Sequence, residues 1–266
     1  MKKFFKKLIN NTILYYLLKQ MYYSLNSPKD FLLKIFYFKN KDIKQNENFL
    51  NQNSFDISKI KKTLIKYKLS YYDKNLSWHY HLFAGLSQKF SKVTILEIGT
   101  YDGSFSNFLS KIFKDSKIFT CDLPVTDRNY LNYYNRSNKY IFDRILKKRK
   151  KNLNRRNIKF LEINSNNILK HCPIDKFDLI WIDGDHLNPQ VSNDILNCLK
   201  LLKKGCIMCC DDILMNPYKS EYVSMDSYKT LLKLEKNKKI INSFIIKRAR
   251  HTNFFLRKFI SYSKKI

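Results

Sequence analysis

The stretch Thr94-Ile-Leu-Glu-Ile-Gly-Thr-Tyr-Asp-Gly-Ser104 constrains this chain more than any other. An apolar run from Val93 to Ile98 reads as a buried strand, a turn holding Gly99 and Gly103 follows, and helical spacing resumes from Phe105 to Phe113. A strand, a glycine turn and a helix in that order form the unit with which doubly wound α/β folds grip a nucleotide-like ligand. The dinucleotide fingerprint G-x-G-x-x-G is not met, because Tyr101 and Ser104 stand where it needs glycine. Tyr101 obstructs the close approach of a pyrophosphate, and Glu97 repels one. A carboxylate there suits a ligand that carries positive charge, such as a sulfonium or an ammonium.

The rest of the chain alternates strand and helix around this unit. Strands are expected at Lys117–Cys121, Asn157–Ile163, Phe177–Ile182 and Cys206–Cys210, and a helix at Val191–Leu202. Such alternation predicts an α/β fold: a doubly wound, mostly parallel sheet with helices on both faces. Helical spacing of Ile57, Ile60, Leu64 and Tyr67, and of Leu76, Tyr80, Phe83 and Leu86, places helices ahead of the first strand. A helix near Met225–Leu234 and two apolar runs, Ile240–Ile246 and Asn253–Ile260, end the chain, the last two as an antiparallel hairpin. The expected organisation is a basic helical segment with a polar linker over 1–54, the linker being residues 39–54, and an α/β domain over 55–266.

Within 1–23, Phe5, Ile9, Ile13 and Leu17 share one helical face among lysines, and the longest apolar run is six residues. A membrane span needs roughly 20. This segment is expected to pack on the domain or a partner, with peripheral contact to an anionic membrane surface as the alternative. Ser77-Trp-His-Tyr-His-Leu-Phe83 reads either as a lid over the ligand or as a helix packing Trp78 on the sheet edge.

The formal charge of +29 on 266 residues invites a nucleic-acid reading. Lys, Asn, Ile, Phe and Tyr are heavily used while alanine occurs only at 84 and 249, a bias expected of A+T-rich coding that accounts for the charge without a polyanion. Lys147-Lys-Arg-Lys-Lys151 with Arg155-Arg156 reads as a solvated helix end rather than an RNA groove. Nucleic acid is therefore the less favoured partner. The six cysteines have no secreted-framework spacing, and Cys206-x-x-Cys209-Cys210 lacks the second half of a zinc site. Reduced core thiols and a cytoplasmic location are expected. The sequence sets no oligomeric state.

Chemistry concentrates at the carboxyl ends of the expected strands. Asp122 lies 25 positions after Glu97, where an acid can accept both hydroxyls of a ribose. Asn164-Ser165 holds the equivalent place on the third strand, to meet an adenine amine or to form an ordinary Asx turn. Phe177-Asp-Leu-Ile-Trp-Ile-Asp-Gly-Asp-His186 delivers three ionisable groups in four residues, and Cys210-Asp-Asp212 ends the neighbouring strand. Asp183, Asp211 and Asp212 can converge, and an all-oxygen cluster suits Mg²⁺ or a similar hard ion. Helix capping is the competing reading for Asp211 and Asp212.

Taken in order, LEIGTYDGSF, DLIWIDGDH and the CDD ending the fifth strand resemble the class I S-adenosylmethionine (SAM)-dependent methyltransferases over about residues 76–215. Within them they are similar to the metal-dependent sugar O-methyltransferases of the macrocin and novobiocin type and to the cephalosporin-hydroxylase-like group. The resemblance implies a transferase that binds SAM through Glu97, Gly99, Thr100, Gly103, Asp122, Ser165 and Asp183. It implies a divalent metal on Asp183, Asp211 and Asp212, and Asp185 as the base, with His186 as its alternate. The implied acceptor is a small hydroxylated molecule, a sugar among the candidates; an RNA methyltransferase and a non-catalytic cofactor-binding scaffold are the rival readings.

Overall fold

A computed structural model of the chain describes residues 39–73, 75–132, 138–216, 224–249 and 257–266. The helix expected within 1–23 lies outside the described residues, as does the start of the run expected at Asn253–Ile260. In chain order the elements are α1 (Lys39–Gln52), α2 (Ile57–Lys66), α3 (His79–Lys89), β1 (Thr94–Ile98), α4 (Ser104–Ile112), β2 (Lys117–Asp122), α5 (Arg128–Asn132), α6 (Lys139–Leu153), β3 (Ile158–Glu162), α7 (Ile168–His171), β4 (Phe177–Ile182), α8 (Gln190–Leu201), β5 (Leu202–Leu214), α9 (Asp226–Lys236), β6 (Ile240–Ile246) and β7 (Lys258–Lys265).

One sheet of seven strands runs in the order β3-β2-β1-β4-β5-β7-β6. The first five pair in parallel, and β7 is antiparallel to both of its neighbours, so the C-terminal hairpin closes one side. Alternation along each strand builds two cores. Ile95, Leu179, Trp181 and Ile207 face the helices α2 to α4, whereas Leu96, Ile98, Ile180, Ile182 and Met208 face Val191 and Ile195 of α8 and Leu231 and Leu234 of α9. The doubly wound α/β architecture read from the sequence is the observed one.

Register positions the chemistry. Ile98 pairs with Ile182, and Ile182 with Cys210, so Gly99, Asp183 and Asp211 emerge side by side at one end of the sheet. Cys121 is opposite Ile98 on the other side, which brings Asp122 to the same end. The hairpin adds two more groups: Lys247 follows β6 and Lys258 opens β7, both at the end where the parallel strands finish.

Residues 39–54 are not a linker. Most of the stretch forms α1, which buries Asp42, Ile43, Asn46 and Leu50 along one face. Polar composition hid this helix, because two of its four inward residues are polar and find partners only across the fold. Asn46 donates from Nδ2 to the Ile246 carbonyl and accepts at Oδ1 from the Ile246 N–H, both at 2.9 Å, which satisfies the open edge of β6. Asp42 pairs with Arg257. Burying Ile43 and Leu50 contributes about 1.5–3 kcal/mol each. Strand β5 also exceeds the expected Cys206–Cys210, running from Leu202 to Leu214. All six cysteines are free, with Cys121, Cys198, Cys209 and Cys210 buried.

Replacing Asn46 by Ala should leave the Ile246 backbone groups buried without partners. The loss expected is about 2–4 kcal/mol, counting two broken bonds and the desolvated groups left behind. Urea denaturation would register it as a lower midpoint at unchanged slope. A midpoint equal to wild type would show that α1 is not fastened to the sheet.

Candidate active site

The turn after β1 is held by a contact that only glycine permits. Gly99 has φ +95°, and a Cβ there would stand 2.2 Å from the Asp183 carbonyl oxygen. The Gly99 N–H donates to the Cys121 carbonyl and the Asp183 N–H to the Ile98 carbonyl, each at 2.8 Å, so the three strand ends are tied together. Gly103 (φ +70°) caps α4 against Leu153 of α6.

Beneath this turn Glu97 is 1% exposed. Thr120 donates to its Oε2 from Oγ1 at 2.6 Å, and Ser106 donates to the same atom from α4. The Thr100 and Thr120 hydroxyls are themselves 2.6 Å apart. Thr100 is buried and meets Glu97 only through Thr120, so it shapes the turn from below. Both carboxylate bonds fall on Oε2, which leaves Oε1 for a ligand. Burial pushes the Glu97 carboxyl up to about 7, against the pull of Ser106 and Thr120.

Asp122 closes β2 as expected, and both its oxygens are engaged. Oδ1 accepts from the Leu123 N–H at 2.9 Å, while Oδ2 accepts from the Tyr101 N–H and from Arg149 Nη2, also at 2.9 Å. Arg149 additionally donates from Nε to the Tyr101 carbonyl at 2.6 Å. This arginine comes from the middle of the basic run on α6, where its neighbours Lys147, Lys148 and Lys150 are exposed. Reading that run as a solvated helix end missed it. Ile145, four residues earlier on the same helical face, is also buried and is the signal that 149 turns inward. Ser165 sits in a short 3₁₀ turn after β3 and accepts at Oγ from Gln190 Nε2 at 2.8 Å. Asn164 forms the Asx turn onto the Asn166 N–H.

The acids of β4 and β5 do meet. Asp211 and Asp212 occupy a bulge, where the β5–β7 register shifts between Cys210 and Ile213 and Asp212 adopts φ +52°. Consecutive residues of a regular strand point to opposite faces; the bulge instead lets both carboxylates reach the same cation. That cation is Lys247. Its Nζ donates to Asp211 Oδ2 at 2.5 Å and to Asp212 Oδ1, and Lys258 donates to Asp212 Oδ2 at 2.6 Å. His186 Nε2 lies 3.6 Å from Asp183 Oδ1 and 3.7 Å from Asp212 Oδ2. Asp183 keeps 35% of its side chain exposed, yet its desolvation by the surrounding protein and the adjacent Asp211 raise its carboxyl above the usual range. Asp212 is buried too, yet Lys247, His186 and Lys258 hold it well below that range. Burial lowers His186, so the imidazole is neutral at neutral pH. Asp185 accepts the Leu187 N–H at 3.0 Å.

The 77–83 stretch packs rather than lids: Trp78 is buried, stacks on His81 and donates its backbone N–H to the Lys247 carbonyl at 2.8 Å. His79 lies against Phe105 and Trp181, and neither of its ring nitrogens has a hydrogen-bond partner among the described residues. Burial lowers it to about 3, with Asp211 and Lys247 in its electrostatic surroundings.

These residues do not fit the divalent metal that was expected. Among the described residues no group of three or more His, Cys, Asp or Glu side chains is placed to hold an ion. Three of the oxygens that would ligate one, Asp211 Oδ2 and both of Asp212, are turned onto ammonium groups, while Asp211 Oδ1 is buried without a hydrogen-bond partner among the described residues. An ion at ~4 Å from Lys247 Nζ would be repelled by roughly 8 kcal/mol at an effective dielectric of 20. They do fit a cationic nucleoside: a buried carboxyl with one oxygen to spare, and a second acid at the end of the adjacent strand.

Residues 96–213 match the family model described as "Methyltransferase domain". No curated protein matches the chain by sequence. Among solved structures, a Klebsiella pneumoniae protein assigned as an O-methyltransferase superposes with a TM-score of 0.50 at 14% identity, covering 79% of this chain and 89% of its own. The O-methyltransferase TomG of Streptomyces achromogenes, involved in tomaymycin synthesis and solved in complex with SAM, also gives 0.50, at 16% identity over 79% of this chain and 88% of its own. Residues 96–213 thus match a methyltransferase-domain model, and the chain has the fold of these two class I O-methyltransferases.

The raised Glu97 group sets a pH dependence. Its folded value of about 7 exceeds the ordinary 4.5, so the folded state holds the proton more tightly. Stability is then lost as pH rises from the lower value through the upper one. Glu97→Gln removes that titration, and its melting temperature relative to wild type should rise between pH 5 and pH 8 by the equivalent of about 1–3 kcal/mol. A constant difference across that range would show that Glu97 is ionised throughout.

Proposed function

We propose that the chain methylates a hydroxyl of a small molecule, a sugar among the candidates, with His186 taking the hydroxyl proton. When bound, SAM supplies an electrophilic methyl group. Glu97 Oε1 receives the ammonium of the cofactor's amino-acid end, and Asp122 receives its ribose hydroxyls beside Arg149. Gly99, Thr100 and Gly103 hold the turn between these acids, Ser165 borders the adenine, and Asp183 separates cofactor from acceptor.

The observation that carries this reading is the His186–Asp212 pair beside the cofactor turn. A neutral imidazole can accept the proton as the acceptor oxygen attacks, and the Asp212 carboxylate stabilises the imidazolium that forms. Asp185, the base implied by resemblance, has an oxygen committed to the Leu187 N–H. The O-methyltransferase assignments of the two structural neighbours support oxygen as the atom methylated.

Incubation with methyl-labelled SAM and fractionated cell extract should place label in small hydroxylated compounds. Label in the RNA fraction, in a reaction that falls steeply with salt, would replace this reading with the nucleic-acid one. His186→Asn should lower turnover by about 10²–10⁴, the range for a positioned general base, with affinity for S-adenosylhomocysteine unchanged. Because burial lowers the imidazole, turnover should stay flat as pH falls from 8 through 6.5 and decline only below that. An Asp185→Asn variant as impaired as His186→Asn would move the base to Asp185.

A further inference from the structure

We propose that the ammonium of Lys247 permanently occupies the place of a divalent metal in this site, making it a methyltransferase centre whose cation is a side chain. The inference rests on the acid cluster used in the proposed methyl transfer, but its test reads metal binding rather than turnover.

The lysine is built in rather than resting there. Its backbone is gripped from two sides: the Lys247 N–H donates to the Lys258 carbonyl at 3.0 Å, and its carbonyl accepts the Trp78 N–H at 2.8 Å. The side chain is 10% exposed, and Asp211 is 2% exposed. A hard ion needs several oxygens converging at about 2.0–2.6 Å on one point. Here one Asp211 oxygen and one Asp212 oxygen converge on Nζ. The second Asp212 oxygen is taken by Lys258, and Asp183 Oδ1 faces His186. Charge reinforces geometry: Lys247 and Lys258 together supply the two positive charges that a divalent ion would bring.

Lys247 is thus a positioning residue. It holds Asp211 and Asp212 at their bulge, and with them the Asp212 carboxylate that backs His186. Removing the ammonium would leave acids that a metal can then bind.

The full-length protein, stripped with chelator, is titrated with Mn²⁺ and followed by electron paramagnetic resonance. Wild type should leave the free-ion signal unchanged at ion concentrations up to tenfold over protein. Lys247→Met should gain a site at least tenfold tighter than any in wild type, lost again when Asp211→Asn is added. Circular dichroism establishes that Lys247→Met is folded, and S-adenosylhomocysteine affinity reports separately on the cofactor turn. A wild-type Mn²⁺ site abolished by Asp211→Asn overturns the proposal whether or not the lysine variant folds. So does a folded Lys247→Met that gains no site.

Discussion

The site depends on an approach of two backbones that a single methyl group would forbid. Gly99 lies so close to Asp183 that a Cβ would stand 2.2 Å from its carbonyl oxygen. This contact joins the ends of β1 and β4, sets the turn over Glu97, and aims Tyr101 at Asp122. It also fixes where Asp183 stands relative to the β5 acids, through the parallel register of β4 on β5. Two halves of the centre, a cofactor turn on one side and an acid–lysine cluster on the other, share this hinge point.

Charge in the site is balanced locally, one group at a time. Asp122 is paired with Arg149, Asp102 with Lys148, Asp211 with Lys247, and Asp212 with both Lys247 and Lys258. In a chain carrying +29, cations are abundant, and the fold places four of them on the carboxylates at the carboxyl ends of its strands. The remaining carboxyls respond differently. Glu97 and Asp183 have no ammonium or guanidinium bound to them among the described residues, and burial raises both. A buried acid that gains a cationic ligand can ionise on binding, which makes Glu97 suited to a sulfonium nucleoside rather than a pyrophosphate.

Much of this was legible in the sequence because it depends on local pattern. Mostly apolar runs ending in glycine or aspartate mark β1, β2 and β4, and the strand ends then locate Glu97, Asp122, Asp183 and Asp211. What escaped depends on contacts between distant segments. The helix α1 looks like a linker until Asn46 meets Ile246, two hundred residues away. Arg149 is one of seven basic residues in a short stretch, and only its helical phase distinguishes it. Lys247 follows an apolar strand as an ordinary terminating charge. Its role appears only when β7 pairs between β5 and β6 and brings the end of β6 to the β5 acids. Three acids were correctly brought together, but the counter-charge came from the hairpin rather than from an ion.

The account stands most directly on what the turn between Glu97 and Asp122 binds. Isothermal calorimetry on the full-length protein, with S-adenosylhomocysteine and NAD as competing ligands, addresses it in one experiment. The account predicts one site per chain for S-adenosylhomocysteine, no comparable heat from NAD, and at least a tenfold loss of affinity in Asp122→Ala. Preferential binding of NAD, or undiminished nucleoside affinity in Asp122→Ala, would contradict it.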